Sequence, residues 1–318
     1  MGFDTAYEAI SEETDTGHRW AFGTGFTDPL AGVDTSLPAD VDGGDLAAYC
    51  LMLGDDALIL SHRLQQWLAS APELEEETAL ANIALDLLGQ ARLLLTRAGA
   101  ADGSGRTEDD YAFCRGEREF RNVRLAEITD ADFAGLIARL LVFSAWRLAL
   151  IARLRDSADP VLGAVAAMGV RELTYHRDYA AQWVIRLGDG TDYSRERMAA
   201  GLTAVAPLVP ELFEPTAVEQ RLVAAGVAVD PAQLRPEYDA VVGRVLAEAT
   251  LAWPDVPALA GLAGSPVPSG SPVSGGGAVS RRASAVGEAG REGVHTEAMG
   301  YLLAELQSVA RALPGATW

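Results

Sequence analysis

The chain is poor in cysteine, histidine and basic charge, and each shortage narrows what it can be. Its two cysteines, Cys50 and Cys114, are too few for a disulfide framework and lack metal-binding spacing, which makes a reducing cytoplasm the expected location. Against 45 acids stand only 25 bases, a formal charge of -20, with no basic patch large enough to meet phosphates, so nucleic acid is excluded as a partner. The N-terminus lacks a basic-then-apolar secretion signal. No apolar segment reads as reaching the ~18–20 residues of a bilayer span, so no membrane association is expected. Alternating β-branched runs are missing too. What remains is 318 residues, 49% hydrophobic and rich in Ala, Leu, Arg and Glu, the composition of an all-α protein with chain enough for one large core.

The strongest helical signal runs from Leu74 to Leu95. Leu80, Ala84, Leu87, Ala91 and Leu94 mark one apolar face, while Ile83, Leu85, Leu88, Leu93 and Leu95 spread apolar residues around most of the circumference, so other helices are expected to wrap it. Through it runs a narrow polar stripe, Thr78, Asn82, Asp86 and Gln90, at successive i, i+4 steps. Asp86 is therefore expected in mostly apolar surroundings, where it needs a cation, a metal or hydrogen-bond donors.

Residues 1–44 are acidic and rich in Gly, Thr and Pro, and read as a disordered extension whose Trp20, Phe22 and Phe26 could dock on a partner. A first core helix is expected from about Leu46 to Leu68, ended by Ala71-Pro72, forming an antiparallel hairpin with the Leu74–Leu95 helix. Its Asp55, Asp56, His62 and Arg63 read as surface decoration, one of them able to face Asp86. A shorter helix from Asp109 to about Phe120 ends in the charge run Arg115–Glu119, read as a solvated face. The third long helix starts after Asp130 or Asp132 and runs from Phe133 to about Arg155, with no acid on its core side. The fourth opens on Asp159 and Pro160 and stops at Gly188. Further helices are expected over Ser194–Val209, over Thr216–Ala225 with Thr216 and Glu219 as a capping box, and from Asp230-Pro231 to about Trp253. Residues 254–292 read as a flexible Pro/Gly/Ser insert and Thr296–Leu313 as a final helix, so 45–318 forms one domain.

Four long helices in hairpins, one with an interior acid and another with Glu172 and His176, suggest a ferritin-like four-helix bundle. In di-iron members, two helices each give a Glu and two each give a Glu-x-x-His pair. That count fails here. The chain has only His18, His62, His176 and His295; three residues beyond Asp86 stands Gly89, three beyond Glu77 stands Leu80, and three beyond Glu172 stands Tyr175, with His176 at i+4. Asp86, Glu172 and His176 are thus at most degenerate di-iron-like positions, and neither a metal site nor a catalytic residue is expected in this chain. Asn82, Asp86, Gln90, Glu172, Tyr175 and His176 are the candidates for a buried polar network, with Arg171 or Arg147 neutralising an acid. His176 also reads as an ordinary core or surface histidine.

The runs LEEETALANIALDLLGQARLLL, DDALILSHRLQQW, RELTYHRDYAAQWVIRLGDGTD and GVHTEAMGYLLAELQ, with the ending ALPGATW, closely resemble the C-subunit (PaaC) family of the bacterial phenylacetyl-CoA epoxidases. The resemblance covers about Leu46–Trp253 and Gly293–Trp318. It implies a ferritin-like, non-catalytic structural subunit of a multicomponent monooxygenase complex in phenylacetate degradation. The alternative is a ferritin-like di-iron oxygenase or oxidase active in its own right. The resemblance further implies a catalytic A subunit that holds the di-iron centre and forms the ring-1,2-epoxide of phenylacetyl-CoA. A small B subunit would join it, as would a reductase subunit that bears FAD and iron–sulfur and is fed by NAD(P)H. The extension and the 254–292 insert depart from the family's compact pattern.

Overall fold

The computed structural model describes residues 30–254 and 289–314. Most of the acidic extension, nearly all of the insert and the last four residues, 315–318, lie outside them. The chain divides into two units, Met1–Asp34 and Thr35–Trp318. Of the first, the described part is a turn closed by the Val33 N–H on the Leu30 carbonyl at 2.9 Å.

The second unit is all-α among the described residues. Its long helices are α1 (Gly43–Gln65), α2 (Leu74–Ala101), α5 (Phe133–Leu154) and α6 (Pro160–Gly188); α3 (Glu108–Phe113) and α4 (Arg124–Glu127) lie in the crossing between α2 and α5. Following them are α7 (Asp192–Val205), α8 (Ala217–Ala224), α9 (Arg235–Glu248) and α10 (Glu297–Ala312). The starts follow the expected caps. Asp132 accepts from Gly135 N, Asp159 accepts from Leu162 N beside Pro160, and Thr216 and Glu219 form the capping box. The stretch expected as one helix to Phe120 is shorter, since α3 stops at Phe113 and the chain turns before a single 3-10 turn at Glu117–Glu119.

Pairing fixes the topology. Ser61 Oγ donates to the Ala84 carbonyl, and a Cβ on Gly54 would stand 2.9 Å from Leu95 Cδ2, so α1 and α2 are antiparallel and closely packed. Gln90 meets Glu172 while Asp86 meets His176, so α2 and α6 are antiparallel as well. Phe133 stacks edge-on against Trp183, which runs α5 against α6. Hence α2 and α5 point the same way and sit diagonally, and the chain must travel the length of the bundle between Ala101 and Phe133. That single long crossover is the ferritin-like arrangement.

Helix α5 is long and apolar enough to cross a membrane by length and composition, as is α2, contrary to the expectation that no segment is. The reason for α5 is packing: 94% of its window is buried among the other helices, which makes it the core helix of the bundle. Helix α2 is not wrapped as expected. Its inner side is buried from Leu80 to Gly99, but Asn82, Leu85 and Gly89 face outward. Residues 35–42, read from composition as part of the loose extension, are tied to the bundle. Arg97 on α2, paired with Asp159, donates from Nη1 to the Thr35 carbonyl at 2.6 Å and from Nη2 to the Ser36 carbonyl at 3.1 Å, and Val41 is buried.

Candidate functional site

Asp55 and Asp56 sit inside the apolar run of α1 and are fully buried, not surface decoration. Burying neighbouring carboxylates is tolerable only with charged partners and a full set of donors. Asp55 is held by the guanidinium of Arg115, which stacks 4.1 Å over the Phe120 ring, and by the Arg121 N–H at 2.8 Å. Arg115 is therefore a buried anchor, whereas the rest of the Arg115–Glu119 run is exposed as expected. Asp56 accepts from Arg291 Nη1 at 3.0 Å and Nη2 at 2.8 Å, and from the Val123 N–H at 2.8 Å. Arg147, from α5, places Nη1 3.7 Å from the same carboxylate. Burial raises the Asp56 carboxyl, against the pull of Arg291 and Arg147, and every contact it makes is a donor suited to its ionised form. Burial also pulls the Arg147 guanidinium down, to about 10, which leaves it charged at neutral pH. All 25 bases of the chain are arginines, the side chain best suited to such buried forks.

From Arg147 the network continues outward. Its Nε and Nη2 reach Gln90 Oε1 on α2 at 3.4 and 3.3 Å, and Gln90 Nε2 donates to Glu172 Oε2 on α6 at 2.9 Å. Asp56, Arg147, Gln90 and Glu172 thus bring one polar group from each of the four long helices into a single line. One helical turn along the same seam, the Asp86 carboxylate accepts from His176 Nε2 at 3.0 Å. His176 is buried, but the Asp86 side chain is 35% exposed, so the seam opens to solvent. Burial raises the Glu172 carboxyl, with Gln90 pulling it down and Asp86 adding to the rise.

Of the six residues expected in a buried network, the structure joins Asp86 to His176 and Gln90 to Glu172. Asn82 and Tyr175 are exposed, Tyr175 by 49%, because they lie on the outer sides of α2 and α6. Arg171 is exposed beside Glu172, and Arg147 supplies the interior charge. Arg63, expected at the surface, is buried and donates to the Glu127 and Ala298 carbonyls. His62 lies 3.9 Å from Glu305, partly covered.

A third cluster holds the segment that enters α10. Fully buried Glu127 accepts from Asn122 Nδ2 and His295 Nδ1, both at 2.7 Å, and from the Thr296 N–H at 2.5 Å. The other His295 nitrogen lies 3.2 Å from the Phe120 carbonyl, so both ring nitrogens face acceptors. Burial pulls the imidazole down, but the Glu127 hydrogen bond and charge, with the Phe120 carbonyl, outweigh it and raise it.

The di-iron centre of the fold class needs four carboxylates and two histidines aimed at one point. At the centre of this bundle stand one carboxylate already held by two guanidinium groups, a carboxamide, and Glu172 engaged with it. A pair of cations placed there would lie against Arg147. The donor set does not fit such a metal, and among the described residues no group of three or more His, Cys, Asp and Glu is placed to hold one.

Sequence reasoning missed the Asp55–Arg115, Asp56–Arg291 and Glu127–His295 pairs. A signal for the acids was present: two aspartates embedded in CLMLGDDALIL have no solvated helix face to occupy, and Arg147 in FSAWRLAL is the matching base.

Comparison with known proteins then gives two findings. The family model for phenylacetic acid catabolic proteins matches residues 33–263. The chain is also 40% identical over 273 residues to the C subunit of the 1,2-phenylacetyl-CoA epoxidase of Escherichia coli (strain K12), an alignment covering 86% of this chain and 99% of the relative.

Proposed function

The chain belongs to the phenylacetic acid catabolic protein family, and on that premise we propose that it is the non-catalytic, structural subunit of a phenylacetyl-CoA 1,2-epoxidase. Its work is to pair with and stabilise the A subunit, which carries the di-iron centre and performs the oxygen insertion. The B subunit and a reductase supplied by NAD(P)H complete the enzyme in the cytoplasm. One observation carries the reading for this chain: the middle of its bundle is built around Arg147 and Asp56, a charge pair in the place where an active member would gather metal-binding carboxylates. Such a core needs no cofactor to hold the four helices in register, which is what a scaffold requires. Glu172, Asp86 and His176 are degenerate positions in this reading and serve as hydrogen-bonding residues of the α2–α6 seam. The second possibility, an oxygenase active alone, is disfavoured by the same donor set.

Reconstitution tests this. Phenylacetyl-CoA, O2 and NADPH are supplied to the A, B and reductase subunits with and without this chain, and epoxide is measured by mass spectrometry. The expected result is turnover only when the chain is present, retained in variants of Glu172 and His176 that still assemble. Turnover by this chain and the reductase without the A subunit would contradict the reading.

A further inference from the structure

The outer face of α2 and α6 points to where the partner sits, an inference that rests on the subunit reading and deepens it. Between Thr78 and Ala91, α2 has a single ionisable residue, Asp86, in a chain that is 22% charged. The positions it turns to solvent over that span are Thr78, Asn82, Leu85 and Gly89. Leu85 is 55% exposed, and across the seam stands exposed Tyr175. A helix face kept in water normally carries charge, whereas the centre of a protein interface is depleted of it and enriched in tyrosine.

Gly89 is a separate observation. Glycine is a poor helix former, yet this one lies well inside a 28-residue helix. The close-packed helical glycines of this chain have neighbours that explain them. A Cβ on Gly188 would stand 2.5 Å from the Ala249 carbonyl oxygen, and one on Gly201 would stand 2.9 Å from that of Ala134. At Gly89 nothing lies within 4 Å. No group of this chain requires its missing side chain, while a backbone approaching from outside would use it. Gly243 on α9 is equally open but is flanked by exposed Asp239 and Arg244, as a solvated surface should be.

The size is also right. Helices α2 and α6 have 28 and 29 residues. At the usual rise and spacing the whole face is about 42 by 20 Å, on the order of 800 Å², the area each partner contributes to a standard stable complex. The charge-poor Thr78–Ala91 stretch is the middle of α2, and the rest of the face carries exposed Arg171, Asp178 and Arg186.

We propose that the catalytic A subunit docks on the α2–α6 face, with one of its helices crossing α2 at Gly89. Leu85 packs along the crossing helix and Tyr175 meets it from α6. Asp86, partly open in the free chain, is covered in the complex and keeps His176 as its partner.

The test is the affinity of the full chain for the purified A subunit, with the melting temperature of each free variant. Gly89→Leu and Leu85→Glu are expected to weaken binding at least ~30-fold, as loss of an interface hot spot does. Gly89→Ala weakens it less and raises the melting temperature of the free chain, since alanine is the better helix former and its methyl meets nothing inside. Gly243→Leu and Tyr301→Glu, on α9 and α10, stay within about threefold of wild type, well inside that hot-spot margin. The proposal is overturned if the α2 variants bind like wild type, or if Gly89→Ala lowers the melting temperature. It also falls if the face instead holds a second copy of this chain, seen as a homodimer that Leu85→Glu breaks while A-subunit binding persists. Failure of wild type itself to bind the A subunit would sink the subunit reading as well, which separates the two.

Discussion

Around Asp56 each carboxylate oxygen is met by donors from distant parts of the chain, whereas around Asp86 a single histidine holds one oxygen and the side chain is partly open to water. Both acids lie on long helices of the same bundle. The first site ties α1 to α5, to the crossover at Val123 and to Arg291 beyond the insert, so it is a fastening of the tertiary structure. The second ties α2 to α6 alone. A polar group in a closed core must find its partners within the chain, while one at an open seam can leave capacity for another molecule.

The largest effect should come from breaking the closed site. Arg291→Ala leaves Asp56 buried with Arg147 too far for a hydrogen bond, and should cost ~3–5 kcal/mol in urea unfolding. Replacing Asp56, Arg147 and Arg291 together by apolar residues of similar volume should cost much less than the sum of the single changes, because no charge is then left alone. A near-additive triple variant would show that the three do not act as a unit.

A smaller effect belongs to the latch at Glu127 and His295. The imidazole is raised above its unfolded value of about 6.5, so its contribution is fully present below that pH and is lost as pH rises through the folded value. Wild type should therefore lose stability relative to His295→Gln as pH rises above about 6.5 and through the higher folded value. Parallel curves for the two proteins over that range would remove the charged imidazole from the picture.

The smallest effects are expected at the open seam. Asp86→Asn should change the stability of the free chain by no more than about 1.5 kcal/mol, since the carboxamide oxygen can still accept from His176. Glu172→Gln should be neutral or slightly stabilising above about pH 4.3, since burial there disfavours the charged carboxylate, and indistinguishable from wild type below it. Losses at the seam equal to those at Asp56 would erase the contrast between the two sites.

Much of the fold was legible because local chemistry marked it. Asp159-Pro160, the Thr216 and Glu219 box and the apolar periodicity of Phe133–Leu154 each name a helix without help from elsewhere. The polar interior was legible only in part. Gln90, Glu172, Asp86 and His176 were found because they repeat at helical spacing. Asn82 and Tyr175 share that spacing but fall on the outer side, since periodicity finds a stripe without saying which neighbour covers it. Arg291 could not be assigned to Asp56 from sequence at all, because the two are brought together by the whole fold, 235 positions apart. Arg115 was hidden among genuinely exposed charges.

Iron content measured on the chain purified alone from iron-replete cells, and again on its complex with the A subunit, bears most directly on the charge-filled bundle centre. The proposed structural role predicts essentially no iron in the lone chain and about two irons per complex, all of them in the A subunit, as a dinuclear site requires. About two irons bound to the isolated chain would mean that Arg147 and Asp56 do not occupy the bundle centre as described, and that the chain is not the structural subunit proposed.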